Sequence, residues 1–231
     1  IEKAYPKYLR GREEQFYFHK ALPQDNPYLD QAYWDELESQ PEPLKQAWLF
    51  GNWDVYAGQA FMKFQRDTHT CKPFDLPDHW ARYRGIDFGT SAPFCCLWGA
   101  RDPMTGRVYV YREAYSPGLS DIEQGKTIKS RTLAGEKILV SYADPAMFTK
   151  QSVRGIITSS ADQYNLEGVP LTPGDNGRVS GKRKIDRLID DLPDGKPGLI
   201  VFETCDNLIR EISSIQYDRN NVEDVDTKMS D

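Results

Sequence analysis

Apolar positions along the chain follow two patterns. In the first third they are sparse and spaced as in helices: Leu29, Tyr33 and Leu37 lie at i, i+4 and i+8, one face of a helix. Pro41 and Pro43 end it, and Pro43 suits the first turn of a second helix over 44–50 that stops at Gly51. Gln15-Phe16-Tyr17-Phe18 reads as a strand or loop, Asp25-Asn26-Pro27 as a turn, and Gly51-Asn52-Trp53-Asp54 as the way into a loop with Gly58. The pattern predicts a small helical linker region over 1–75 and a separate domain over 76–231. The whole reads as part of a longer polypeptide.

From Trp80 the texture changes. Residues 84–88, 94–99 and 107–113 predict three strands, with Arg101-Asp102-Pro103-Met104-Thr105-Gly106 as a hairpin turn between the last two. Ser120 is a good N-cap for a helix to about Leu133. Lys137 to Tyr142 predicts a buried strand, a helix follows over about 149–162, and 169–171 is a short strand. Ile185, Leu188, Ile189 and Leu192 lie at i, i+3, i+4 and i+7, an amphipathic helix over 182–192. Leu199 to Glu203 is another strand, and Leu208, Ile212 and Ile215 mark a helix after it. A three-strand meander followed by alternating helices and strands gives a mixed sheet covered by helices. That is an α/β, RNase H-like layout with five strands, provided the short strand at 169–171 is marginal to the main sheet.

Composition narrows the chemistry. The chain has 231 residues, 39% hydrophobic and 28% charged, enough for one sizeable core and a charged surface. No apolar run approaches the ~20 residues that span a bilayer, and no signal-peptide pattern opens the chain. No membrane partner is therefore expected. The four cysteines have no CxxC spacing and the three histidines are scattered, which argues against zinc and against a disulfide framework. The net charge of −6 excludes DNA binding through general basicity, so any nucleic-acid contact must be a local patch.

Two carboxylates carry the candidate chemistry. Asp87, in Gly85-Ile86-Asp87-Phe88-Gly89, lies near the end of the first strand, and Asp144, in Tyr142-Ala143-Asp144-Pro145, ends the fourth. An ionised carboxylate on a central strand is costly unless paired or metal-bound. If these strands are parallel neighbours, their ends can share a hard cation such as Mg²⁺ or Mn²⁺. Two such ions about 4 Å apart would serve phosphodiester hydrolysis. The plainer reading is that Asp144-Pro145 starts a turn and Asp87 caps a loop. Arg178, Lys182, Arg183, Lys184 and Arg187, with Gly174, Gly177 and Gly181 nearby, form a flexible positive segment before a helix. It would hold a DNA phosphate backbone, or else be a solvated helix face. The acidic stretch with Asp218, Glu223, Asp224, Asp226 and Asp231 is either a solvated turn or the approach to a third metal ligand.

These motifs together resemble the C-terminal half of the large terminase subunit of tailed bacteriophages. Asp25-Asn26-Pro27-Tyr28-Leu29 is similar to the exit of that family's ATPase domain, and Gly51-Asn52-Trp53-Asp54 to its Gly-Asp-Trp-Asp linker element, with Asn52 in place of the acid. Gly85 to Gly89 and Tyr142 to Pro145 match its first two catalytic aspartates. Asn176-Gly177-Arg178 with Gly181 and Lys182, Cys205 to Ile209, and Glu223-Asp224 recur in the expected order. The resemblance implies an endonuclease cutting concatemeric double-stranded DNA during packaging. It implies two Mg²⁺ or Mn²⁺ ions on Asp87 and Asp144, and a portal protein and a small terminase subunit as partners. The location implied is the host bacterial cytoplasm. Asp231 aligns with the first aspartate of the family's Asp-His-x-x-Asp motif and is a candidate metal ligand. The usual third ligand would lie beyond it, with the last helix, so the activity of this fragment is expected to be low. ATP is expected only in a preceding domain, because no Gly-x-x-x-x-Gly-Lys-[Ser/Thr] loop occurs.

Two other classes share these residues. Gly85 to Ser91 is also similar to the phosphate loop of sugar kinases and actin-like ATPases, which would make Asp87 a ligand of Mg²⁺-ATP. That fold needs two RNase H-like halves, more chain than follows Trp80. A catalytically inert packaging module that docks on the portal would keep the fold without the metals.

Overall fold

The protein's structure, a computed structural model, describes residues 22–39, 45, 48–49, 59–89, 92–153, 155–218 and 221–226. Its contacts divide the chain into Ile1–Ala57 and Gly58–Asp231. In the first unit, the Asx side chain of Asn26 accepts from the Tyr28 amide at 3.1 Å, making the expected turn. Helix α1 (Gln31–Ser39) follows, with Asp30 accepting from the Tyr33 amide at 2.8 Å as its cap. Leu37 on its apolar face is buried, and Lys45, Trp48 and Leu49 are helical, as the spacing predicted. The readings of 15–18 and 51–54 lie outside the described residues.

The second unit is built on a seven-stranded sheet. Its strands are β1 (Thr70–Cys71), β2 (Ala81–Asp87), β3 (Phe94–Arg101), β4 (Val108–Ser116), β5 (Ile138–Ala143), β8 (Thr172–Pro173) and β9 (Leu199–Phe202). The spatial order is β1-β9-β4-β3-β2-β5-β8. β2, β3 and β4 form the expected antiparallel meander, and β5 lies parallel to β2. The mixed, RNase H-like α/β sheet expected from the sequence is therefore present, with two changes. The short strand forms at Thr172–Pro173 rather than 169–171, and it pairs with β5 instead of lying outside the sheet. Strand β9 runs parallel to β4 on the other side, with β1 beyond it. Strands of two residues are too short to leave a period in the sequence, which is why five strands were legible and seven form.

Alternation builds the core. In β3, Phe94, Cys96, Trp98 and Ala100 are wholly buried, and Ile86 and Ala114 flank Cys96 in register. Helices α3 (Asp121–Arg131) and α4 (Ser160–Leu166) add Ile128 and Tyr164 to this core. Arg84 faces the same way as Trp98, its register partner, and donates to Ser141 at 2.9 Å and to Thr132 at the end of α3. Helix α6 (Asp206–Ser214) covers the opposite face, where Glu113 reaches its first turn.

Three expectations are corrected. Residues 149–162 are not one helix: β6 (Gln151–Val153) and β7 (Ile156–Thr158) form a hairpin before α4. Gly155, at φ 80°, closes its turn, a conformation that costs glycine nothing. The acidic stretch after Ser213 is also a hairpin, β10 (Tyr217–Asp218) with β11 (Asn221–Val225). Residues 59–75, assigned to the linker from sequence, belong to the second unit. Ala60, Phe61 and Phe64 are in its core, and α2 (Arg66–His69) leads into β1. Buried His69 closes this region by an Nε2 contact of 3.0 Å to the Ile189 carbonyl. Among the described residues no helix is long and apolar enough to cross a membrane.

Candidate metal centre

Backbone pairing brings the two sequence-predicted aspartates together. β2 and β5 are parallel neighbours, with Ile86 opposite Ala143 as the last pair. Asp87 ends one strand and Asp144 directly follows the other, so both carboxylates emerge at the same sheet end. Asp144 also does what the plainer reading required: its Oδ1 accepts from the Ala146 amide at 2.7 Å and caps the 3-10 turn Pro145–Phe148. That bond fixes the rotamer of Asp144 without using Oδ2.

The electrostatics set Asp87 apart. Partial burial pushes its carboxyl above the usual carboxylate range, and the neighbouring charge of Asp144 pushes it further. Two like charges held this close, in partly desolvated surroundings, suit a hard divalent cation in their donor chemistry, because a cation relieves both costs. Cys95, opposite Asp87 in register, is pushed up to about 12 by burial, and then by Glu113, Glu211 and Asp87. Its thiol therefore stays protonated and is a poor nucleophile at neutral pH. Among the described residues no group of three His, Cys, Asp or Glu converges as a metal site. Asp231 lies outside the described residues.

A cleft of about 250 Å³ opens beside Asp144, lined also by Gly85, Tyr142, Gly174, Asp175 and Asn176. Asp175 was not singled out as a site residue from the sequence. Its carboxyl is held below the usual range by the Gly177 amide and then by Lys184. The turn-forming run Gly174-Asp175-Asn176-Gly177 was the available signal.

The basic residues lie on the helix-face alternative rather than on a flexible segment: α5 runs over Arg178–Ile189, four residues earlier than the expected 182–192, and so takes in Arg178 as well. Each of the four proposed DNA contacts is paired with a carboxylate. Arg178 meets Asp224 at 3.0 Å and Arg183 meets Glu223 at 2.7 Å, both on β11. Lys184 meets Asp175 at 3.0 Å. Lys182 meets Asp186 at 2.9 Å and lies over the Phe61 ring.

Solved structures similar to this chain include large terminases of phages. The nuclease domain of the large terminase of phage P22 aligns at 22% identity and a TM-score of 0.59, over 74% of this chain and 84% of that one. The large terminase of a thermophilic bacteriophage aligns at 18% identity and a TM-score of 0.59, over 98% of this chain. A second crystal form of that terminase aligns over the full chain at a TM-score of 0.58. The fold is that of a large-terminase nuclease domain. The chain spans about half, 55%, of the thermophilic phage's terminase. No family model and no curated protein matches the sequence.

Proposed function

We propose that this chain is the C-terminal part of a tailed-phage large terminase subunit and that residues 58–231 form a metal-dependent endodeoxyribonuclease acting on double-stranded DNA. The observation that carries this reading is the pair Asp87 and Asp144, side by side at the ends of parallel strands, with the charge of one raising the carboxyl of the other. Two Mg²⁺ or Mn²⁺ ions bound there would supply a water nucleophile at neutral pH and stabilise the leaving oxygen of a phosphodiester. The chain's own contribution is positional. The β2–β5 ladder sets the spacing of the carboxylates, and the Pro145–Phe148 turn locks Asp144. Arg178, Lys182, Arg183 and Lys184 would meet the phosphate backbone, exchanging their carboxylate partners for phosphates. Asp231 is the candidate for a further ligand. Portal protein and the small terminase subunit are the partners this reading entails, and the host cytoplasm its place of action.

Calorimetric titration with MnCl₂ tests the site. Wild-type protein is expected to bind Mn²⁺, with binding lost in Asp87→Ala and Asp144→Ala. Nicking of supercoiled plasmid in Mn²⁺ is expected to disappear in the same variants. Binding that persists in both variants overturns the reading, and tight ATP binding with no Mn²⁺-dependent nicking points to the kinase-like alternative.

A further inference from the structure

The carboxylate of Asp87 can serve a metal only if the strand end that carries it is held still. Two residues later, Gly89 is buried, with the Ala92 and Pro93 carbonyls packed against it. A Cβ there would lie 2.3 Å from the Ala92 carbonyl oxygen and 2.9 Å from that of Pro93. The Gly89 carbonyl points into the protein and accepts from Gln124 Nε2 at 2.8 Å.

Gln124 is fully buried in the first turns of α3, and every polar group on it is used. Its Nε2 also donates to the Leu119 carbonyl at 2.6 Å, and its Oε1 accepts from the Tyr164 hydroxyl. Tyr164, on α4, is itself wholly buried. Gly125 lets the two helices meet: a Cβ there would lie 3.1 Å from the Glu167 side chain and 3.6 Å from Tyr164 Cα. A buried amide and phenol are costly unless fully satisfied, and an apolar pair would fill the same space without that demand. In this network the contact that leaves the two helices and their entry turn is the carbonyl two residues beyond Asp87.

We propose that Gln124, oriented by Tyr164, is a positioning residue that clamps the Gly89 carbonyl and so fixes the Asp87 carboxylate relative to Asp144. The inference rests on the reading of these aspartates as a metal-binding pair. Supporting groups of this kind orient ligands that they do not themselves join.

The test uses the full chain and Gln124→Met/Tyr164→Phe, which removes both buried partners together and keeps the volume. If the double variant does not fold, Gln124→Met alone, which removes the donor to the Gly89 carbonyl, gives the same comparison. Amide hydrogen exchange is expected to rise over 84–93 and stay unchanged in β4. Mn²⁺ affinity, measured by calorimetry, is expected to fall by roughly tenfold. A merely structural role predicts a lower melting temperature with exchange raised everywhere alike. Unchanged exchange at 84–93 overturns the clamp, as does faster exchange there with unchanged Mn²⁺ affinity. Failure of the wild-type protein to bind Mn²⁺ overturns the metal-site reading and this inference with it. Equal affinity in wild type and variants overturns this inference alone.

Discussion

Glu113 is the carboxylate most easily mistaken for a third metal ligand, because it lies on the Asp87 side of the sheet and its charge reaches Cys95 along with that of Asp87. Its hydrogen bonds give it another role. The N-cap position of helix α6 is Cys205, which provides no side-chain cap. Glu113 supplies that cap from β4: Oε1 accepts from the Asn207 amide at 2.9 Å and from Asn207 Nδ2 at 2.8 Å, and Oε2 accepts from the Leu208 amide at 2.9 Å. These are the donors a capping side chain normally satisfies, and a negative charge there also complements the helix dipole. In Glu113→Gln the single remaining acceptor serves one side of the turn, and the new NH₂ group faces a donor. A hydrogen bond to a charged group contributes about 1.5–3 kcal/mol, so the expected loss is about 2 kcal/mol, and about 3 kcal/mol for Glu113→Ala. For a domain of this size, 2 kcal/mol lowers Tm by roughly 4–8 °C. Urea unfolding followed by tryptophan fluorescence measures the loss, and hydrogen exchange at Asn207 and Leu208 locates it. Mn²⁺ affinity is expected to stay within about twofold of wild type, since both oxygens are committed to α6. A Glu113→Gln protein within about 0.5 kcal/mol of wild type refutes the capping argument. A loss of Mn²⁺ binding as complete as in Asp87→Ala makes Glu113 a ligand and refutes the assignment.

Asp87→Asn is expected to act with the opposite sign. It removes a partly desolvated charge facing Asp144, so the metal-free protein melts at or above the wild-type temperature while Mn²⁺ binding is lost; a clear drop in Tm would count against electrostatic strain at the site. Asp162 is held at about 2, against an ordinary 3.8, by the Lys150 ammonium at 2.6 Å and then by the Ser159 hydroxyl and amide. Its folded value is depressed, so its contribution is complete above 3.8 and is lost as pH falls toward 2. Asp162→Asn should therefore narrow the stability gap between pH 5 and pH 2 in urea titrations, and an unchanged gap sinks the assignment. Glu223→Gln/Asp224→Asn should release Arg183 and Arg178, tightening binding to a labelled duplex and steepening its salt dependence by up to about one unit of log–log slope per arginine. Anisotropy titrations at several salt concentrations measure this, and an unchanged slope removes α5 from the DNA-binding surface.

What the sequence made legible follows from the range over which each signal acts. The meander was readable because alternation repeats over the eight residues of β3, where Phe94, Cys96, Trp98 and Ala100 all point inward. Asp87 and Asp144 were readable because a carboxylate next to a buried strand end is anomalous by itself. The β6–β7 hairpin was misread because Val153, Ile156 and Ile157 lie at i, i+3 and i+4, a helical spacing produced here by two three-residue strands. Position in the sheet was less accessible still. Nothing local to Leu199–Phe202 says that it pairs with β4 while Thr172–Pro173 pairs with β5.

The basic cluster shows the same limit in charge rather than shape, and it bears on function. The run from Arg178 to Arg187 was legible as positive, and the stretch from Asp218 to Asp226 as negative, but not that the two face each other across about forty residues of chain. β11 places Glu223 and Asp224 against Arg183 and Arg178. Each arginine proposed as a phosphate contact is thus already paired with a carboxylate. A carboxylate left beside a bound phosphate would cancel much of what the arginine contributes. On the proposed reading, DNA binding by this face would have the form of an exchange, in which phosphates gain only the difference between their attraction and that of the resident acids. The net charge of −6 pointed to a weak general attraction for DNA. If this face meets DNA as proposed, the contribution of Arg178 and Arg183 would depend on how readily β11 gives up Asp224 and Glu223.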